Sequence, residues 1–275
     1  MLKTMRNSIS PQRPNFQTLK LVFHGHLPFA SMVTLLMSSL LFQCGFDVED
    51  PTPPSPPVWV EKSLPEEWPE RGIDAHESGG IYLEWEPSPD GDVIAYNIYR
   101  TTWYHVNDSL GDYDMLSSLN IDTTPELKYV DNAVNNGTTY YYKLKSMGGT
   151  NNLGDFSESS VYSLLPKLEF SSMSPNGTNS TLGSERLLSW SYGYHIEMED
   201  YCLTVLTEEN EYVTRKRLLP SNYVGGAQSW QIPIEILLDS GQVYRWRVDI
   251  GARYMDGRET AGSESHWATF LYLGE

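Results

Sequence analysis

Beyond residue 46 the chain carries four histidines, His76, His105, His195 and His266, and two short acidic pairs, Asp90-Gly-Asp92 and Asp112-Tyr-Asp114. A zinc hydrolase places two histidines one helical turn apart, but the His76-Glu77 pair is followed by Gly80 where the second histidine would stand. Carboxylates two positions apart offer oxygens to calcium. A calcium loop, however, collects six or more oxygens, and neither pair continues into the spaced acids and distal glutamate that complete one, so both read as acidic turns. Serine nucleophiles sit in a strained Gly-x-Ser-x-Gly elbow, a pattern absent from this sequence. The residues therefore predict no catalytic group, no metal and no cofactor. The segment from Thr101 to Asp114 is richer, because Trp103, Tyr104 and Tyr113 stand among amide, hydroxyl and carboxylate side chains. Such rings stack on a sugar face or on a partner surface; the alternative is that Trp103 covers the edge of the core.

The elements that must position these rings follow from a pattern that occurs twice. It reads Val134-Asn-Asn-Gly137-Thr-Thr-Tyr140-Tyr-Tyr142-Lys-Leu144 and again Leu238-Asp-Ser-Gly241-Gln-Val-Tyr244-Arg-Trp246-Arg-Val248. In each copy a tyrosine follows an aliphatic residue by six positions across a glycine turn, and large residues then alternate with polar ones. Alternation of period two is the mark of a half-buried strand, and the tyrosine placement is that of a corner whose phenol ties back to the preceding turn. Before the first copy, Ile81, Leu83 and Trp85 alternate with glutamates, and Tyr96 and Ile98 repeat the pattern. Before the second, Trp190 stands where Trp85 stands, and Tyr201 to Thr207 forms the next strand. On these motifs the chain resembles tandem fibronectin type III domains, over about residues 56 to 275. The resemblance implies an all-β fold of two immunoglobulin-like β-sandwiches, at 58–166 and 167–275, abutting end to end. In the second copy the third strand lacks the Tyr-x-Ile-Tyr-Arg of Tyr96 to Arg100, which leaves a related immunoglobulin-like sandwich open there.

Residues 1 to 46 contain Lys3, Arg6, Arg13 and Lys20 and no acid, so the net charge of −17 becomes −21 for everything after Phe46. An acidic surface repels phosphate backbones, and nucleic-acid binding is excluded on that ground. From Leu21 to Phe46 there is no formal charge, and Val33 to Phe42 is an apolar run of the length found in secretory signals. Cys44-Gly45 follows, then an acidic and proline-rich tether at 47–57, which predicts an extended, semi-rigid polyproline spacer. This order resembles a bacterial lipoprotein signal peptide and implies lipidation at Cys44. Leu41 fits the motif, whereas Gln43 stands where the family has Gly, Ala or Ser. The competing reading is an uncleaved signal anchor, since the twenty residues from Leu27 to Phe46 match a bilayer's thickness. Both readings put the protein outside the cytoplasm, membrane-anchored in the cell envelope, at the outer membrane or cell surface. The other cysteine, Cys202, lies in an alternating strand and reads as a small buried hydrophobe.

Two sandwiches and a tether use up nearly all of the 229 residues after Phe46, leaving no length for a further catalytic domain. The expected role is non-catalytic: binding a protein partner, or spacing, through loops and sheet edges. A carbohydrate-binding accessory role for a separate polysaccharide-processing enzyme, using Trp103, Tyr104 and Tyr113, is the alternative. Replacing Cys44 by Ser is expected to release the ectodomain from membranes or to leave an unprocessed precursor. Mass spectrometry of the native protein should find a diacylglyceryl-modified amino terminus, and a mature chain still holding residues 33 to 43 would favour the anchor.

Overall fold

The computed structural model describes residues 52–64, 68–70, 72–104, 108–124, 126–177, 179–193, 198–219, 226–253 and 260–274. The signal or anchor segment, Cys44, His105 and His195 lie outside the described residues. The only described helical element is a short 3-10 turn at Phe170–Ser172, and none of the described helices is long and apolar enough to cross a membrane.

In the first sandwich the opening strand is broken in two. Trp59 bridges Trp85, the chain leaves through a small hairpin of β1 (Lys62–Leu64) and β2 (Trp68–Glu70), and it returns as β3 (Ile73–Ala75) beside β4 (Ile81–Glu84). Return is possible because Gly72 adopts φ +68, where a side chain would collide with the Glu84 carbonyl. The other sheet contains β5 (Val93–Tyr104), flanked by the short β6 (Ser109–Leu110) and the edge strand β7 (Asp114–Asn120). Next, β8 (Lys128–Asp131) joins β4, completing the three-stranded sheet β3-β4-β8. Then β9 (Thr139–Gly148) and β10 (Ser160–Leu164) extend the β5 sheet. The inward residues are those the alternation marks: Ile81, Leu83, Trp85, Tyr96, Ile98, Tyr140, Tyr142 and Leu144 are all buried.

The second sandwich repeats the plan. Its small sheet is β11 (Met173–Ser174), β13 (Leu187–Ser191) and β16 (Ala227–Gln231), and β12 (Thr181–Leu182) crosses to the larger sheet. That larger sheet holds β14 (Met198–Thr207), the edge strand β15 (Tyr212–Leu218) and the central β17 (Gln242–Arg253). The final strand is split into β18 (Thr260–Glu264) and β19 (Ala268–Tyr272), both antiparallel to β17. Three strands facing a sheet whose third strand is flanked by its own edge partner and by the sixth is the strand order of a fibronectin type III sandwich, and both copies have it.

Matching side chains hold the two cores in the same way. Trp85 meets Tyr96 edge to face at 5.7 Å, and Trp190 meets Tyr201 likewise at 5.3 Å. The Asn135 amide donates to the Tyr140 phenol oxygen at 3.0 Å, and the Asp239 amide donates to that of Tyr244 at 2.7 Å. A further pair escapes the sequence pattern. Where the last strand bends away from its neighbour, a buried serine hydroxyl takes the place of the lost carbonyl acceptor. The Leu144 amide donates to Ser157 Oγ at 2.9 Å, and the Val248 amide donates to Ser265 Oγ at 2.9 Å. In return the two serine amides donate to the carbonyls of Leu144 and Val248.

The tether does not stand free of the first sandwich. Asn152 Nδ2 donates to the Thr52 carbonyl at 2.6 Å, the Ser55 amide donates to Asp90 at 2.6 Å, and Ser146 Oγ donates to the Ser55 carbonyl at 2.9 Å. Gly154 leaves room for the Pro54 carbonyl, which any side chain there would displace. Residues 52 to 57 are thus a docked strap, and Asp90 is its anchor rather than part of a calcium loop.

Tyr140→Phe and Ser157→Ala should each leave a main-chain amide of the first sandwich without its acceptor, costing about 1 to 3 kcal/mol. Tyr244→Phe and Ser265→Ala should do the same in the second. Urea unfolding of the full chain, followed by hydrogen exchange in each sandwich, should place the loss in the mutated half.

Candidate functional site

Trp103 and Tyr104 lie at the end of β5, 39% and 57% exposed. Adjacent residues of a strand point to opposite faces, so the two rings do not form one platform. Trp103 pairs with Leu110 of β6, and Tyr104 packs over Gly111, where a side chain would press on its ring. Tyr113 is elsewhere, half-buried, with its phenol 3.0 Å from Ser159 Oγ. It belongs to a patch on the outer face of the first sandwich that the sequence reading does not reach. The ring at its centre is Phe156, 38% exposed, with Tyr99 edge-on at 5.1 Å and Tyr113 at 6.0 Å. Lys145 and Lys143 place their ammonium groups 4.3 and 5.5 Å from the same ring. Register explains the clustering: Tyr99 is opposite both Lys143 and Met115, so all three leave the sheet on one side. Alternation made Lys143 and Lys145 legible as outward residues, but Phe156 comes from an irregular segment that carries no period.

A second constellation lies where the two sandwiches meet. Instead of abutting only end to end, they share a sheet: β10 runs parallel to β18, with Tyr162 beside Thr260, Ser163 beside Ala261 and Leu164 beside Gly262. The next amide, Leu165, donates to the Gly262 carbonyl at 2.8 Å. Glycine is required there, because a side chain at 262 would overlap the Tyr162 hydroxyl and approach the Ile250 carbonyl. The main chain then changes cores within four residues, since Leu165 and Leu168 are both buried in the second sandwich and the Tyr192 phenol donates to the Pro166 carbonyl at 2.8 Å.

Beside this ladder is a cleft of about 340 Å³, lined among others by Asp74, His76, Glu77, Arg247 and Glu264. The Tyr162 hydroxyl donates to Asp74 at 2.8 Å. Arg247 reaches Glu264 at 2.6 Å and Asp249 at 3.0 Å, so one guanidinium serves two carboxylates. Trp267 carries Arg245 and Arg247 on its ring, at 4.4 and 5.0 Å, and its indole donates across the joint to Glu77 at 3.0 Å. The Lys167 ammonium donates to the Glu77 carbonyl. Burial, and then the Asp249 charge, push Asp74 up to about 6. Glu264 is pushed up to about 9, by burial first and by Asp249 next, against the pull of Arg247. Asp249 is raised by burial, while burial lowers His76 and Lys167. The sequence contained one signal of this site: Arg245, Arg247 and Asp249 are the outward residues of an alternating strand, a charged row on one face.

His76 bonds through Nδ1 with Ser78 and stacks on Tyr82, with ring centres 6.2 Å apart, and His266 is exposed. Neither approaches Asp112 or Asp114 through any described contact. Among the described residues no group of three or more His, Cys, Asp or Glu side chains is arranged to hold a metal ion. Cys202 is buried in β14, and burial raises its thiol beyond the ordinary range.

No family profile and no curated protein matches the chain. Solved structures do resemble it. A Fn3-like protein from Clostridium thermocellum shares 22% identity over 43% of this chain and 99% of its own, with a TM-score of 0.30. The FN1–FN3 domains of chicken CNTN1 share 14% over 80% of this chain and 69% of their own, at 0.33. A central fibronectin-III array of RIM-binding protein shares 12% over 80% and 70%, at 0.28. The chain is an all-β protein of two fibronectin type III-like sandwiches, an assignment resting on its strand order.

Gly262→Ala is expected to break the joint locally, as the added methyl group meets both the Tyr162 hydroxyl and the Ile250 carbonyl. The cost should be about 1 to 3 kcal/mol. Thermal unfolding of this variant beside Gly91→Ala, where the added group meets open space, checks the assignment.

Proposed function

We propose that the chain is an exported, non-catalytic protein of the bacterial cell envelope, held to the membrane through Cys44 or through its apolar segment, which binds a protein partner or spaces one from the membrane. Tandem fibronectin type III-like sandwiches fit a binding or spacing role, since they offer sheet faces, edges and end loops on a rigid frame. The observation that carries the binding half is the outer face of the first sandwich. Phe156, Tyr99, Tyr113 and Met115 form an apolar and aromatic surface, and among the described residues Lys143 and Lys145 are the cations placed against the Phe156 ring. Aromatic anchors are enriched at protein-binding hot spots, with polar groups left to the rim. On a chain whose net charge is −17, a local pair of lysines selects for a partner with acidic groups opposite them.

The glycan reading draws on Trp103 and Tyr104, whose exposure leaves both rings open to solvent. It is narrowed by their opposite directions, which leave each ring to act singly. Both readings are tested by one set of variants. Trp103→Ala with Tyr104→Ala, and separately Phe156→Ala with Lys143→Glu, should weaken crosslinking of a partner in the native cells. The exposed rings at 103 and 104 should cost under about 1 kcal/mol of stability when removed. A large drop in the unfolding midpoint would instead make them core. Loss confined to the first pair, together with binding to a polysaccharide array, would favour the glycan reading. Turnover of an ester, peptide or glycoside by the purified chain, abolished by replacing His76 or His266, would overturn the non-catalytic assignment.

A further inference from the structure

The joint between the sandwiches brings together acids from both sides. Asp74 of β3 and Glu77 of the following loop come from the first, and Asp249 of β17 and Glu264 of β18 from the second. Against them stand Arg247, already shared by Asp249 and Glu264, Lys167 of the link, and Arg215 of β15, whose charge acts on Asp249. Tyr162 of β10 faces Asp74, Cys202 of β14 faces Asp249, and Glu84, Tyr82 and His76 complete the lining, with Lys128 acting on His76. Arg247 is ion-paired with Asp249 and Glu264, while Lys167 and Arg215 act on the acids through their charge, so the carboxylates gathered here outnumber these three cations. Leu165, Leu168 and the Tyr192 bond to Pro166 hold the link to the second sandwich, but the described bonds across the ladder itself are few: three pairs of parallel ladder, the Leu165 amide, and the Trp267 and Lys167 bonds to Glu77.

We propose that this joint is a proton-operated latch, shut while its carboxylates carry protons and opened, by loss of the β10–β18 ladder, when they ionise. Separation moves Asp74 and Glu77 away from Glu264 and Asp249 and returns each to water, so ionisation favours the open form. The sign follows from the direction of the shifts. Asp74 and Glu264 are both raised in the shut form, which therefore binds more protons than the open one. Its stabilisation is complete below the ordinary carboxylate range and is lost as pH rises through about 6 for Asp74 and towards about 9 for Glu264. His76 works the other way, because burial disfavours its charged form, but only below its ordinary value of 6.5. Lys167, lowered by burial, opposes the carboxylates from the alkaline side, and between pH 6.5 and 8.5 the carboxylates set the direction of the slope. One proton held only by the shut form changes the shut-to-open ratio by up to about a hundredfold over that interval. The latch would let a change in surrounding pH alter the angle between two rigid sandwiches without unfolding either.

Hydrogen exchange on the full-length chain in detergent, read by mass spectrometry and corrected for the intrinsic pH dependence of exchange, tests this. Peptides covering 160–166 and 260–265 should lose protection by tenfold or more from pH 6.5 to 8.5, of the about hundredfold available. The peptide covering 140–146, in the core of the first sandwich, should hold its protection and serves as the internal standard. Glu264→Gln keeps a group for Arg247 and removes the titration, so it should flatten the slope. Asp74→Asn retains an acceptor for Tyr162 and should shift the loss of protection to higher pH, a readout that stands if the first variant fails to fold. Equal protection at both pH values in the native chain would overturn the latch, as would a slope that survives in both variants.

Discussion

The central strand of each larger sheet must have its amides and carbonyls satisfied on both sides, and most of the structure can be traced to how that is done. Strands β9 and β17 are flanked on one side by β5 and β14, whose ladders run nearly their full length. On the other side the last strand breaks contact part of the way along, beyond Tyr142 in the first sandwich and between Trp246 and Asp249 in the second. A buried amide left without a partner costs about as much as a whole hydrogen bond is worth, so the gap cannot be left open. Ser157 and Ser265 fill it with a hydroxyl, and each then donates its own proton to the next carbonyl along, that of Glu158 and His266. The break in the last strand is thereby made tolerable, and β10 and β18, each still laddered to its own sheet, meet through their outer edges.

How much of this was legible in the residues depends on range. Tyr140, Tyr244, Trp85 and Trp190 stand out because each is read against neighbours six or fewer positions away, where turn chemistry and alternation act. The serines at 157 and 265 sit in no periodic segment, and their partners lie 13 and 17 residues back. The joint is more remote still: Trp267 meets Glu77 across 190 positions. Nothing in either local sequence marks the other, and a glycine such as Gly262 reveals its purpose only when the tyrosine it accommodates is in place. Of the three rings picked out for binding, Tyr113 is in the aromatic patch around Phe156, while Trp103 and Tyr104 diverge for the simple reason that they are consecutive.

The pairing of the two copies also shows where repetition stops. The same tyrosine, tryptophan and serine positions recur, but the polar partners inside them do not. In the first core the Tyr142 phenol donates to Asp131, which also receives Arg100 at 2.6 Å. In the second the equivalent Trp246 donates its indole proton to the Pro175 carbonyl at 2.9 Å. An indole with a single donor needs only one acceptor and brings no charge to this position, and the second sandwich places its ion pair on a buried carboxylate elsewhere, between Arg217 and Asp200 at 2.5 Å.

The docked strap at 52–57 has a mechanical consequence. Only seven residues lie between Cys44 and Thr52, and the eight steps of fully extended chain from one to the other reach at most about 29 Å. With Thr52, Pro54 and Ser55 fastened to the 146–154 turn and Asp90, the leash begins at a fixed point on the first sandwich rather than at a swivel. On a chain tethered at Cys44, pull would enter beside the turn between β9 and β10 and pass through those strands to the second sandwich. A load entering there would be taken up by the first sandwich as a lever, turning its aromatic face together with the strap instead of letting it tumble about a free thread.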